Sequence, residues 1–238
     1  MSEKLKAIVI YGNNAKEKDK NILLFTLEKG KIWVTFKGVR GEKAKMKYAK
    51  EPFCFGDYIV EEGKVNNVVT AVDIIEDFND IALDVDKYFE ASALLEIVQN
   101  LDFEGERQRY EVFMALIKSL KTLAFHKVPK YGVLSKFMLD IFEIYGVKLY
   151  SEKCSGCGSE FHDNILLNHD AGEFVCIACR TFRCEKVERG VFNLIKLLST
   201  TPMIPKFSEE IGLATVGLLV RNFYSRFNVS LKFVGILN

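Results

Sequence analysis

Two Cys-x2-Cys pairs constrain this chain more than any other feature. Residues 154–157 read Cys-Ser-Gly-Cys and residues 176–179 read Cys-Ile-Ala-Cys, with eighteen residues between Cys157 and Cys176. The turn inside each pair points both thiolates the same way, so one pair grips one ion and two pairs close a tetrahedron. With four protein sulfurs no position is left for water, so the site is expected to be structural and to hold one Zn2+ through Cys154, Cys157, Cys176 and Cys179. A redox-active pair would explain one motif and leave the other without a role. Cys184 is surplus to the set, and Cys54 reads as a small core residue. His162 and His169 lie between the pairs and would have to displace a thiolate to become ligands. His126 reads as a packed or exposed residue at a helix end.

The rest of the chain must supply the core around that insertion. Its 238 residues are 49% hydrophobic, which suits two domains. The formal net charge is +1, so a nucleic-acid surface would have to come from local clustering. No apolar run reaches the ~18 residues of a membrane span. The N-terminal segment has charged flanks and no small-residue cleavage site, so it does not read as a secretory signal. A cytoplasmic setting keeps thiols reduced and favours metal over disulfides.

Periodicity divides the chain. Short β-rich segments at 4–11, 21–28, 31–39, 53–62 and 65–75 are separated by Gly- and Asn-rich turns. Five strands without helical period suggest a small barrel, either a five-stranded OB-fold or an SH3-like barrel. From about residue 80 the period becomes helical: one helix to about Leu101, a second stopped before Pro129, and a third ended by Gly146. Helical patterning resumes after the cysteines near 191–198 and 208–227, with Ser208 as N-cap. The expected organisation is a barrel at 1–80, a helical domain at 81–150 and 186–238, and a zinc-binding insertion at 151–185.

Charge within the barrel is uneven. Residues 29–50 carry Lys29, Lys31, Lys37, Arg40, Lys43, Lys45, Lys47 and Lys50 against Glu42 alone. Such a cluster neutralises phosphates with little sequence preference. In the strand at 31–37, Ile32, Val34 and Phe36 share one face, and Lys31, Trp33, Thr35 and Lys37 the other. The only tryptophan thus stands among lysines, where it either stacks a base or anchors the barrel on the helical domain. The candidate DNA contacts are Lys31, Trp33, Lys37, Arg40, Lys43, Lys45 and Lys47. No phosphate-binding Gly-x-x-x-x-Gly-Lys loop, Gly-x-Ser-x-Gly or His-Glu-x-x-His is present, so neither an enzyme nor a small-molecule substrate is expected.

The order of several motifs resembles one family. Residues 16–26 followed by Gly30, the turn Lys37-Gly38-Val39-Arg40, the basic run to Pro52-Phe53, Leu94-Leu95-Glu96, the cysteine pairs after Gly146, and Leu231-Lys232-Phe233 are similar to the bacterial DNA repair and recombination mediator family RecO. The resemblance spans nearly the whole chain. It implies an N-terminal OB barrel followed by a helical domain with a zinc insertion. It further implies binding of single- and double-stranded DNA, annealing of complementary strands, and work with RecR to load RecA on DNA coated by single-stranded DNA-binding protein. The expected location is the bacterial cytoplasm, at the nucleoid. The competing expectation is a zinc-containing OB-fold adaptor that binds proteins and not DNA.

Overall fold

The computed structural model describes residues 2–14, 19–38, 48–63, 66–162 and 164–236. It is an α+β protein. Five strands come first: β1 (Ser2–Asn14), β2 (Lys20–Thr26), β3 (Gly30–Phe36), β4 (Phe55–Glu61) and β5 (Asn67–Glu76). They close in the order β1-β2-β3-β5-β4, which is the OB arrangement and decides against the SH3-like alternative. β1 is long enough to pair with β4 through Ser2–Ile8 and with β2 from Ala7 to Asn14, and a bulge between Val9 and Tyr11 bends it across both partners. The barrel shuts through a short parallel contact, Val34 opposite Asn67 and Thr35 opposite Val68.

Inward residues alternate along these strands. Leu5, Ala7, Val9, Ile22, Leu24, Val34, Phe36 and Val60 fill the interior, with Cys54 among them as a small core residue. Tyr58 is also wholly buried, and its hydroxyl lies 3.0 Å from the Ala49 carbonyl and 3.1 Å from that of Cys54. Gly56 is required on β4, because a Cβ there would lie 2.5 Å from the Asp73 carbonyl on β5.

The helices are α1 (Asn79–Ala82), α2 (Val85–Asn100), α3 (Glu106–Phe125), α4 (Gly132–Ile144), α5 (Arg189–Thr200) and α6 (Glu209–Phe227). The first expected helix is α2, and the single turn α1 precedes it, with Leu83 and Asp84 between them. α4 ends as its sequence suggests: Gly146 takes φ +71°, and the Val147 N–H reaches back to the Phe142 carbonyl at 2.8 Å. Ser208 caps α6 by accepting from the Ile211 N–H. Between α4 and α5 lie three short strands, β6 (Ile165–Asn168), β7 (Glu173–Cys176) and β8 (Cys184–Val187), ordered β7-β6-β8.

The chain forms two compact units, Met1–Val85 with Leu95–Ala124, and Asp86–Leu94 with Phe125–Asn238. In the first, Phe25 stacks on Phe103 at 5.0 Å and meets Phe113 of α3 at 5.3 Å. The Arg109 Nε donates to the Leu27 carbonyl at 2.9 Å. In the second, α4 and α6 meet through Phe142, Phe223 and Phe227. No helix among the described residues is long and apolar enough to cross a membrane.

Candidate functional site

The four cysteines converge. Cys154 and Cys157 sit in a turn ahead of β6, Cys176 ends β7, and Cys179 closes the 3-10 turn Ile177–Cys179. All four sulfurs lie within 4.8 Å of one another. Cys157 and Cys176 are 3.7 Å apart; a metal–sulfur length of ~2.3 Å in a tetrahedron gives about 3.8 Å. Gly156 makes the turn possible, since a Cβ there would stand 2.9 Å from the Cys179 sulfur. Gly158, at φ +72°, completes it.

The electrostatics favour a cation at the centre. The Ser159 hydroxyl and backbone draw the Cys157 thiol down to about 6. Burial works against ionisation of Cys154, but N–H groups of Cys176, Cys157 and Gly156 prevail and lower it. Cys179 is the thiol that keeps its proton: it donates to the Cys157 and Cys154 sulfurs, which pushes it up to about 12. Four sulfurs this close cannot all ionise unless a positive ion sits among them, and that is what a metal supplies. The set therefore fits a metal ion.

Cys184 stays outside the set, 3.4 Å from the Thr181 hydroxyl. His169 also stays outside: its Nε2 lies 2.8 Å from Glu185, which in turn holds Arg221 of α6 through Nε at 3.0 Å. Burial would raise the Glu185 carboxyl, but Arg221 and His169 together hold it below the usual range. Phe192 of α5 packs against Phe161 and Phe174 of the cysteine module, at 5.2 and 5.0 Å. These two links fasten the module to the helices of its own unit.

On the barrel, Trp33 is 49% exposed and Tyr11 45% exposed, their rings edge to face at 6.0 Å. Tyr11 pairs with Leu23, and Leu23 with Trp33, so the three form one row across β1, β2 and β3. The place of Tyr11 in this row is not legible in the sequence. The bulge after Val9 sets which face it joins, and single-strand alternation does not reveal a bulge.

The lysines divide. Lys37 is exposed at the end of β3. Lys31 is committed elsewhere: its Nζ donates to the Gln99 carbonyl at 2.8 Å and the Leu101 carbonyl at 2.5 Å, closing the C-terminus of α2. Burial lowers its pKa, with Asp102 opposing. Lys29 pairs with Glu3 and Lys50 with Glu51. Arg40, Lys43, Lys45 and Lys47 lie outside the described residues. Thr35, expected to face outward, is buried, its hydroxyl 2.9 Å from Asn21 Oδ1. The outer side of β3 is covered there because the strand is turning into its parallel contact with β5.

Comparison with known proteins adds a family to this geometry. Residues 1–78 match the family model described as recombination protein O, N terminal, and residues 82–226 match recombination protein O, C terminal. The chain is 28% identical over 198 residues to the DNA repair protein RecO of Clostridium novyi, covering 83% of this chain and 77% of that one. It is 29% identical over 181 residues to that of Frankia casuarinae, covering 75% and 74%. Over 234 residues it is 23% identical to that of Clostridium perfringens, covering 94% of each.

Proposed function

We propose that this chain, which belongs to the recombination protein O family of DNA repair proteins, is a non-catalytic recombination mediator in the bacterial cytoplasm. It binds single- and double-stranded DNA and anneals complementary strands. With RecR it promotes loading of RecA on DNA coated by single-stranded DNA-binding protein. The observation that carries this reading is the row Tyr11–Leu23–Trp33 on the outside of a closed OB barrel, with both rings exposed and Leu23 half-buried between them. Bases of a single strand stack on such rings whatever their identity. Lys37 directly follows the same strand, and Arg40, Lys43, Lys45 and Lys47 come after it in sequence, so phosphate neutralisation belongs to them and not to Lys31. Cations that hold two strands on one surface reduce the repulsion between them, and annealing follows. The four-thiol centre takes Zn2+, which braces the module.

The test is oligonucleotide binding against salt. Five phosphate contacts to a single strand give a log–log slope of about −3.5, and the variant K43E/K45E/K47E removes about 2 of it. An unchanged affinity and slope would overturn the basic groove.

A second reading, a protein-binding adaptor, draws on the internal use of Lys29, Lys31 and Lys50. The absence of any shift of a labelled single strand at low salt would favour it.

A further inference from the structure

The cysteine module ends in a feature that metal binding does not use. After Cys179 the chain runs Arg180-Thr181-Phe182-Arg183 before re-entering the sheet at Cys184. Phe182 is 100% exposed, the highest value of any large apolar side chain described. Its neighbours Arg180 and Arg183 are exposed too. Arg183 forms a surface pair with Asp170 at 2.8 Å, whereas the Arg180 guanidinium has no ion pair among the described residues. Residues 177–183 contain no carboxylate.

The turn is held on both sides. Cys179 belongs to the four-sulfur set and the Arg180 N–H donates to the Ile177 carbonyl. The Thr181 N–H donates to the Cys184 sulfur at 3.3 Å, and the His169 N–H to the Arg183 carbonyl at 3.2 Å. An aromatic ring is thus presented to water on a pinned turn, with a cation on either side.

We propose that this turn is a second single-stranded DNA contact, in which Phe182 stacks on an unpaired base and Arg180 neutralises an adjoining phosphate. The chemistry selects this ligand. A ring between cations suits a base next to its phosphates, and pinning removes the ordering cost that a loose loop would bring. Duplex DNA offers Phe182 no free base face, so the ring discriminates single from double strand while Arg180 serves both. The inference rests on the DNA-binding reading of the barrel but uses different residues.

The experiment compares F182A, F182Y, R180E and W33A in the full-length, metal-loaded protein by equilibrium filter binding to a thymidine oligonucleotide and to a duplex. F182A is expected to lose about fivefold or more on the single strand, little on the duplex, and F182Y to restore it. R180E weakens both and flattens the salt slope by about 1. Because the side chain lies wholly in solvent, F182A should keep the parent melting temperature and metal content. An oligonucleotide carrying 5-iodouracil should crosslink to the peptide that contains Phe182. If F182A binds like the parent while W33A fails, the turn is not a contact and the barrel reading stands. If both bind like the parent, both ideas fall. Loss of binding to a protein partner without loss of DNA binding would assign the turn to that partner and overturn the proposal.

Discussion

At the scale of single residues, Glu90 shows how much a local reading leaves out. Helix α4 starts after Tyr131, which sits at φ 69° and offers no side-chain cap. The cap comes from α2: the Glu90 carboxylate accepts the Tyr131 N–H at 2.8 Å and the Leu134 N–H at 2.9 Å. Burial raises its pKa from 4.5 to about 7, against the pull of those N–H groups and with Asp86 adding to the rise. Between those values the folded protein holds a proton that the unfolded chain has released. This protonation therefore stabilises fully below about pH 4.5, and its contribution is lost as pH rises through 7, a fall of about 3 kcal/mol. Melting curves across that range should show the slope in the parent and not in E90Q. Sequence alone could not place this cap, because donor and acceptor lie 41 residues apart. Ser208 is the opposite case. Its cap is local and was legible; S208A should cost about 1 kcal/mol of stability in urea unfolding.

At the scale of elements, legibility follows the range of the cause. The cysteine pairs could be read because two residues of spacing set the bite. The five strands could be read from alternation, but the outward row could not. A bulge in β1 and the curl of β3 toward β5 decide it, and both are responses to neighbouring strands. That is why Thr35, on the outer face, is covered there, and why the place of Tyr11 in that row has no signal in the sequence. The three strands of the cysteine module are four residues each, too short to show a period. This module gives a second pair of expectations. G156A brings a Cβ against Cys179, so metal affinity should drop, measured by competition with a chromogenic chelator. Stripping the metal should lower the melting temperature and raise amide exchange first in β6–β8 and α5, since Phe192 is packed on Phe161 and Phe174. If a chelator abolished DNA binding and left the melting temperature unchanged, the bracing role would be wrong.

At the scale of the whole molecule, a net charge of +1 means that little long-range attraction draws DNA in. In the DNA-binding role proposed above, binding rests on a few local cations and on ring stacking. The expected signature is affinity for single strands that survives salt better than affinity for duplex, because stacking is not screened. Titrations at several salt concentrations on both substrates check this, and parallel losses would contradict it. One consequence of the barrel's design reaches beyond binding. Trp33 is the only tryptophan in the chain, half exposed, and adjacent to Val34, where β3 meets β5 to shut the barrel. The protein therefore carries its own optical reporter at the place where strand closure and the proposed base stacking meet. A base laid on the indole would quench its emission, and a parting of β3 from β5 would shift that emission to the red.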